Sequence, residues 1–151
     1  MSTTSLPQTS SAPQRTVGRA LAPALVVGGV AAITNVAILL LGRTLGLDFA
    51  VQPAGQAPMT VGVVMVLATT LLPVAIGAAV LAVMRSRGRR AHTLLAGVGL
   101  TLGIITTPAP FTASADLGTQ VALASMHLTT GVIWFAVLRG RMTAQGARRE
   151  G

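Results

Sequence analysis

Four long apolar runs divide the 151-residue chain, and polar stretches separate them. They cover about residues 20–41, 60–84, 93–112 and 118–138. Within each run the apolar residues are continuous. The short alternating segments of a membrane barrel are absent, so the pattern predicts helices. At about 1.5 Å per residue, each run is near the ~20 residues needed to cross ~30 Å of hydrocarbon. Residues 1–18 are rich in Ser, Thr, Pro and Gln, lack apolar periodicity and read as a disordered tail. Arg15 and Arg19 come late for a signal peptide, and no clean small-x-small site follows, so the first span is expected to stay. Residues 141–151 read as a short basic tail.

Composition sharpens this picture. The chain is 52% hydrophobic and 9% charged, whereas soluble domains carry about 25% charged residues. There is no cysteine, which excludes disulfides, thiolate chemistry and Cys-ligated metals. The net charge is +8, and all eleven basic residues are arginine, as in GC-rich coding. Their placement is uneven. Arg15 and Arg19 precede the first span, Arg85, Arg87, Arg89 and Arg90 follow the second, and Arg139, Arg141, Arg148 and Arg149 follow the fourth. Only Arg43 lies in the remaining loops. Cytoplasmic loops carry such excess, so both termini are expected inside, with the loops 43–59 and 113–117 outside. Arginines at span ends also favour anionic lipid headgroups over nucleic acid as the partner. Trp134, about one turn from the cytoplasmic face, reads as an interfacial anchor.

The candidate chemistry is a small set of polar side chains inside the spans. His127 falls roughly 13 Å below the outer edge by helical rise. Charging it at that depth is costly, so the ring is expected neutral, with one donor and one acceptor to satisfy. Asn35 in the first span, Thr69 and Thr70 in the second, and Thr106 and Thr107 in the third lie at roughly 8–14 Å. Every span therefore contributes to one polar slab in the outer half of the membrane. Asn, His and Thr hydrogen-bond between helices in lipid at about 0.6–2 kcal/mol each. The slab therefore reads either as glue between helices or as a site for a ligand, ion or proton.

Small residues suggest which faces turn inward. Gly28, Ala32, Asn35 and Leu39 form one stripe, and Ala124, His127, Gly131 and Trp134 another. Gly99, Gly103 and Thr107 make a small-xxx-small strip for close helix approach. Thr69, Pro73 and Gly77 do likewise in the second span. Pro73 should kink that span, and Pro108 and Pro110 should free carbonyls near the end of the third. Spans two and four end alike, "AVMRSRGR" and "AVLRGR", and each carries a Thr-Thr pair, which is compatible with either a duplicated hairpin or chance.

Several chemistries are disfavoured. No Asp or Glu lies within a span, which argues against a carboxylate-driven antiporter. A single intramembrane histidine cannot supply a bis-His haem site or a metal cluster, so no cofactor or metal is expected. No phosphate-binding glycine motif, catalytic triad or nucleotide fingerprint is present, and the balance falls against an enzyme.

Asn35, "GLDF" (46–49), "ATTLLP" (68–73) and "MHL" (126–128) resemble a domain-of-unknown-function family of small four-helix membrane proteins from high-GC Gram-positive bacteria. The likeness covers about residues 17–140. It implies that Asn35 and His127 are a characteristic pair, and it implies no activity. The expectation is an all-α, up-down bundle of four transmembrane helices in the cytoplasmic membrane, with both termini cytoplasmic. Its role is read as a non-enzymatic accessory or structural component, alone, as a homo-oligomer or beside a partner membrane protein. The alternative is a small transporter or ligand-binding protein that uses the Asn/His/Thr cluster.

Overall fold

The computed structural model describes residues 12–150, with side chains described from 24 to 140 apart from 85, 86 and 89. Four α-helices dominate: α1 (Ala12–Thr44), α2 (Val63–Val83), α3 (Gly88–Thr106) and α4 (Leu117–Glu150). Four stretches are long and apolar enough to cross a membrane, Ala24–Thr44, Val63–Val83, Arg90–Thr112 and Leu117–Gly140. Large apolar residues such as Ile33, Val64, Leu72, Leu94 and Ile105 are exposed on their outward faces. Against water such a surface would be a liability, and against hydrocarbon it is ordinary.

The helix ends depart from the apolar runs for identifiable reasons. α1 begins at Ala12, so helix reaches into the stretch expected to be a disordered tail, while residues 1–11 lie outside the described residues. α4 continues through the basic tail to Glu150. α3 stops at Thr106 rather than 112, because Pro108 and Pro110 cannot donate backbone hydrogen bonds. The chain continues as a 3-10 turn over Ala109–Thr112. The arginine segment after α2 is a 3-10 turn, Met84–Arg87, leading into Gly88 at φ 72° and then directly into α3. α2 runs through Pro73 without interruption.

The long connection between α1 and α2 is structured. Gly46, at φ 89°, closes α1. Leu47 N–H donates to Gly42 O (3.0 Å) and Gly46 N–H to Arg43 O (3.0 Å), the paired bonds of a Schellman cap. Strands β1 (Ala50–Val51) and β2 (Met59–Thr60) pair antiparallel, and Gln52 bridges to Ser114 in the α3–α4 connection. Phe49 is fully buried under this hairpin at φ 54°, a conformation that costs a side-chain-bearing residue about 1–3 kcal/mol. The buried ring offsets that cost, and its edge fills the space over Gly42, where a methyl would sit 2.7 Å from Phe49 Cζ. α4 starts on Asp116, whose Oδ1 accepts from Thr119 N–H (2.8 Å), the bond of an N-cap.

Packing is unequal around the four helices. α1 lies along α2 and α4, and α4 lies along α3, while α2 and α3 make few direct contacts. Two apolar clusters form the core. Leu39, Phe49, Val66 and Met126 pack at the hairpin end. Val27, Val74, Ala96, Trp134 and Leu138 pack at the arginine end. Between them on α2 comes Thr70, and on α4 Thr130, each one helical turn from an apolar neighbour on either side.

Candidate functional site

The polar layer between the two clusters is organised by Asn35, which is 2% exposed. Its Nδ2 donates to Thr70 Oγ1 (2.9 Å) on α2 and to Thr130 Oγ1 (3.0 Å) on α4. One amide thus joins three helices. Thr130 spends its own proton on Met126 O (2.8 Å), so its oxygen can only accept from Asn35. That fixes which way the amide points. The consequence is that Asn35 Oδ1, also buried, has no hydrogen-bond partner. Such an atom costs about 1–3 kcal/mol when left without a donor.

Asn35 also lines a groove of about 600 Å3 between α2 and α3, floored by α4. The stripe Thr69, Pro73 and Gly77 forms one wall, and Gly99, Gly103 and Thr106 form the other. His127, Thr130, Gly131 and Trp134 form the floor. The volume is in the range of small-molecule sites, about 300–1,000 Å3. The groove exists because α2 and α3 are held apart. Trp134 supplies the spacer at the arginine end. It is 6% exposed, and its indole lies where side chains on Gly77 and Gly99 would have to be. Its Nε1–H donates to Leu95 O (2.8 Å). The expectation of an interfacial anchor is therefore corrected: glycines on both neighbouring helices admit the ring into the core.

The six sequence-selected residues separate into groups. Asn35 and Thr70 bond directly, and Thr130 is the partner that sequence reasoning left out of the cluster. Its signal was present in the Thr129-Thr130 pair, where only the second threonine falls one turn from both Met126 and Trp134. Thr69 donates to Met65 O (2.8 Å) and Thr106 to Leu102 O (2.7 Å), each within its own helix, and both line the groove. Thr107 donates to Gly103 O (2.7 Å) and does not line it. His127 also lines the groove, but its Nδ1 bonds Leu123 O (2.8 Å) one turn back rather than Asn35. No direct hydrogen bond joins the characteristic pair that the resemblance implies. His127 is exposed to the groove because α2 and α3 part beside it.

A carbonyl oxygen only accepts, so the Nδ1 of a neutral His127 carries the proton and Nε2 offers a lone pair. Among the described residues no three of His, Cys, Asp and Glu converge as a metal site. The arrangement can hold an uncharged molecule by hydrogen bonds and apolar contact. No nucleophile and general base are paired in it.

No curated protein and no solved structure matches the chain. The sequence profile of a family of unknown function (DUF6069) matches residues 15–144, which takes in all four apolar stretches and the groove between them. By that match the chain belongs to DUF6069, a family of unknown function.

Proposed function

We propose that this protein is a non-enzymatic, multi-pass component of the cytoplasmic membrane that binds a small molecule in the groove between α2 and α3. In this reading the helices thread up and down, both termini are cytoplasmic, and the hairpin end faces outward. The arginine asymmetry supports the threading. The observation that carries the binding role is the buried Asn35 Oδ1, left without a partner beside a groove of about 600 Å3. Buried polar groups are nearly always paired, and an unpaired one on a residue that lines a cavity points to a missing donor.

A purely structural role is the second reading, and the joint of Asn35 with Thr70 and Thr130 favours it. Native mass spectrometry of the protein released from detergent separates the two. The wild type should carry a bound small molecule. Thr106→Trp, which adds bulk at the exposed rim of the groove, should lose it while keeping its thermal stability. A wild type without adducts, or a Thr106→Trp that keeps them, would leave the structural reading standing alone.

A further inference from the structure

The groove is chemically polarised along its length. Toward the hairpin end its polar residues Asn35, Thr69, Thr106 and His127 lie among apolar ones such as Val66 and Met126. Toward the arginine end it is apolar, with Val80, Leu95 and Val98, and Trp134 closes it. Its two lips are apolar as well. Ile76 on α2 is 58% exposed and Leu102 on α3 is 56% exposed, both well inside stretches long enough to span a membrane. Lips of this kind at that depth open the groove sideways toward hydrocarbon rather than toward water.

The polar end has a single hydrogen-bonding sense. Asn35 has both Nδ2 bonds engaged and leaves Oδ1, a buried acceptor, unpaired. His127 has its Nδ1–H engaged by Leu123 O and presents Nε2, an acceptor. Thr69 and Thr106 have donated their protons to Met65 O and Leu102 O and present oxygen lone pairs. Three of these acceptors, on the exposed residues His127, Thr69 and Thr106, face a space in which none of them meets a donor from the groove walls, while Asn35 Oδ1 lies buried behind them. Among the described residues no arginine lines the groove, so an anionic phosphate or carboxylate head would find no counter-charge. Among the same residues no carboxylate lines it either, so a buried ammonium would fare no better. An uncharged donor on an apolar chain is the complement.

Taking the groove to be a ligand site as above, we propose that its occupant is a neutral lipid alcohol: one or two acyl or isoprenoid chains bearing a free hydroxyl. The hydroxyl donates to His127 Nε2, and a chain lies along the apolar half toward Trp134. The lipid enters from the bilayer between Ile76 and Leu102.

The test uses the full-length protein in phosphatidylcholine nanodiscs and a photoactivatable hexadecanol with a diazirine in its chain. Labelling should concentrate on α2, α3 and α4 peptides that line the groove, above the exposed α1 face around Leu25 and Ile33. Unlabelled hexadecanol should compete about tenfold better than its methyl ether, the ratio expected from one net hydrogen bond. His127→Phe combined with Thr106→Val, both at exposed positions, should reduce that preference without lowering thermal stability. Groove labelling that the ether and palmitate suppress as well as the alcohol does would overturn the hydroxyl assignment and leave the ligand site intact. Labelling no stronger in the groove than on the α1 face would overturn both.

Discussion

Gly103 and Gly131 cross so closely that a methyl group on Gly103 would lie 2.9 Å from the Cα of Gly131. The obstacle is backbone on both sides, so no rotamer change relieves it. In lipid, where helix association depends on packing rather than on apolar transfer, this contact sets how near α3 and α4 can come. Gly103→Leu should lower thermal stability in detergent by roughly 1–3 kcal/mol through overpacking. Gly97 lies on the same helix with nothing near its added methyl, and Gly97→Ala should be neutral or mildly stabilising. Equal effects at the two positions would mean that α3 does not approach α4 along Gly103.

Trp134 is the single tryptophan of the chain, so its fluorescence reports one place. Buried between Gly77 and Gly99, it should emit at short wavelength and resist quenching by aqueous iodide. Trp134→Ala should cost about 3–5 kcal/mol, as large-to-small changes in cores do. Strong iodide quenching would return the residue to the interface.

Asn35 and His127, paired in the family resemblance, should behave oppositely when substituted. Asn35→Leu should cost about 1–3 kcal/mol because it removes the amide that joins three helices. Thr130→Val should add little to it, since the two changes delete one shared bond. His127→Leu loses only a bond within its own turn and should stay within about 0.5 kcal/mol of wild type. A large loss at His127 would place the ring in the packed interior.

The stripes of small residues made much of this legible. Gly28, Ala32, Asn35 and Leu39 are all buried, and on α4 only His127 departs from its stripe. On α2 the stripe expected to turn inward ran through Thr69, yet Thr70 is the buried threonine and Thr69 is exposed. The difference depends on α1, whose Asn35 bonds Thr70, while both threonines line the groove. The spacing of α2 from α3 was not legible either. It is set by an indole reaching across to glycines 57 and 35 residues away in sequence, a tertiary fact with no local signature. The hairpin was hidden for a related reason: its two strands have two residues each, too short for any alternation to register.

Asp116 adds a pH dependence at the hairpin end. Its carboxyl is held below the ordinary value of 3.8, first by the Thr119 hydroxyl beside it and then by the Thr119 N–H that caps on it. The hydroxyl makes no well-aligned hydrogen bond, so the N–H is the geometrically secure part of this cap. A depressed carboxylate contributes stability that is fully present above its ordinary value and lost as pH falls through the lower folded value. Asp116→Asn keeps a capping oxygen without the charge. The gap in melting temperature between the two proteins should be constant near neutrality and close below pH 3.8. A gap that persists in acid would assign the effect to shape rather than charge.

Threading is tested independently of any of these contacts. A reporter fused at residue 55 should respond as external, and one at the C-terminus as internal. The same side for both would remove the four-span arrangement.

The bridge between Gln52 and Ser114 joins the connection that leads into α2 to the connection that follows α3, and the Met84–Arg87 turn joins the same two helices at their other ends. The walls of the groove are thus tethered at both extremities, like the sides of a buttonhole. They can bow apart in the middle but cannot swing open at either end. Exchange of an occupant would then proceed only within the plane of the surrounding lipid. Its rate would follow the amount of that molecule dissolved in the bilayer, and would be indifferent to its concentration in the water on either side.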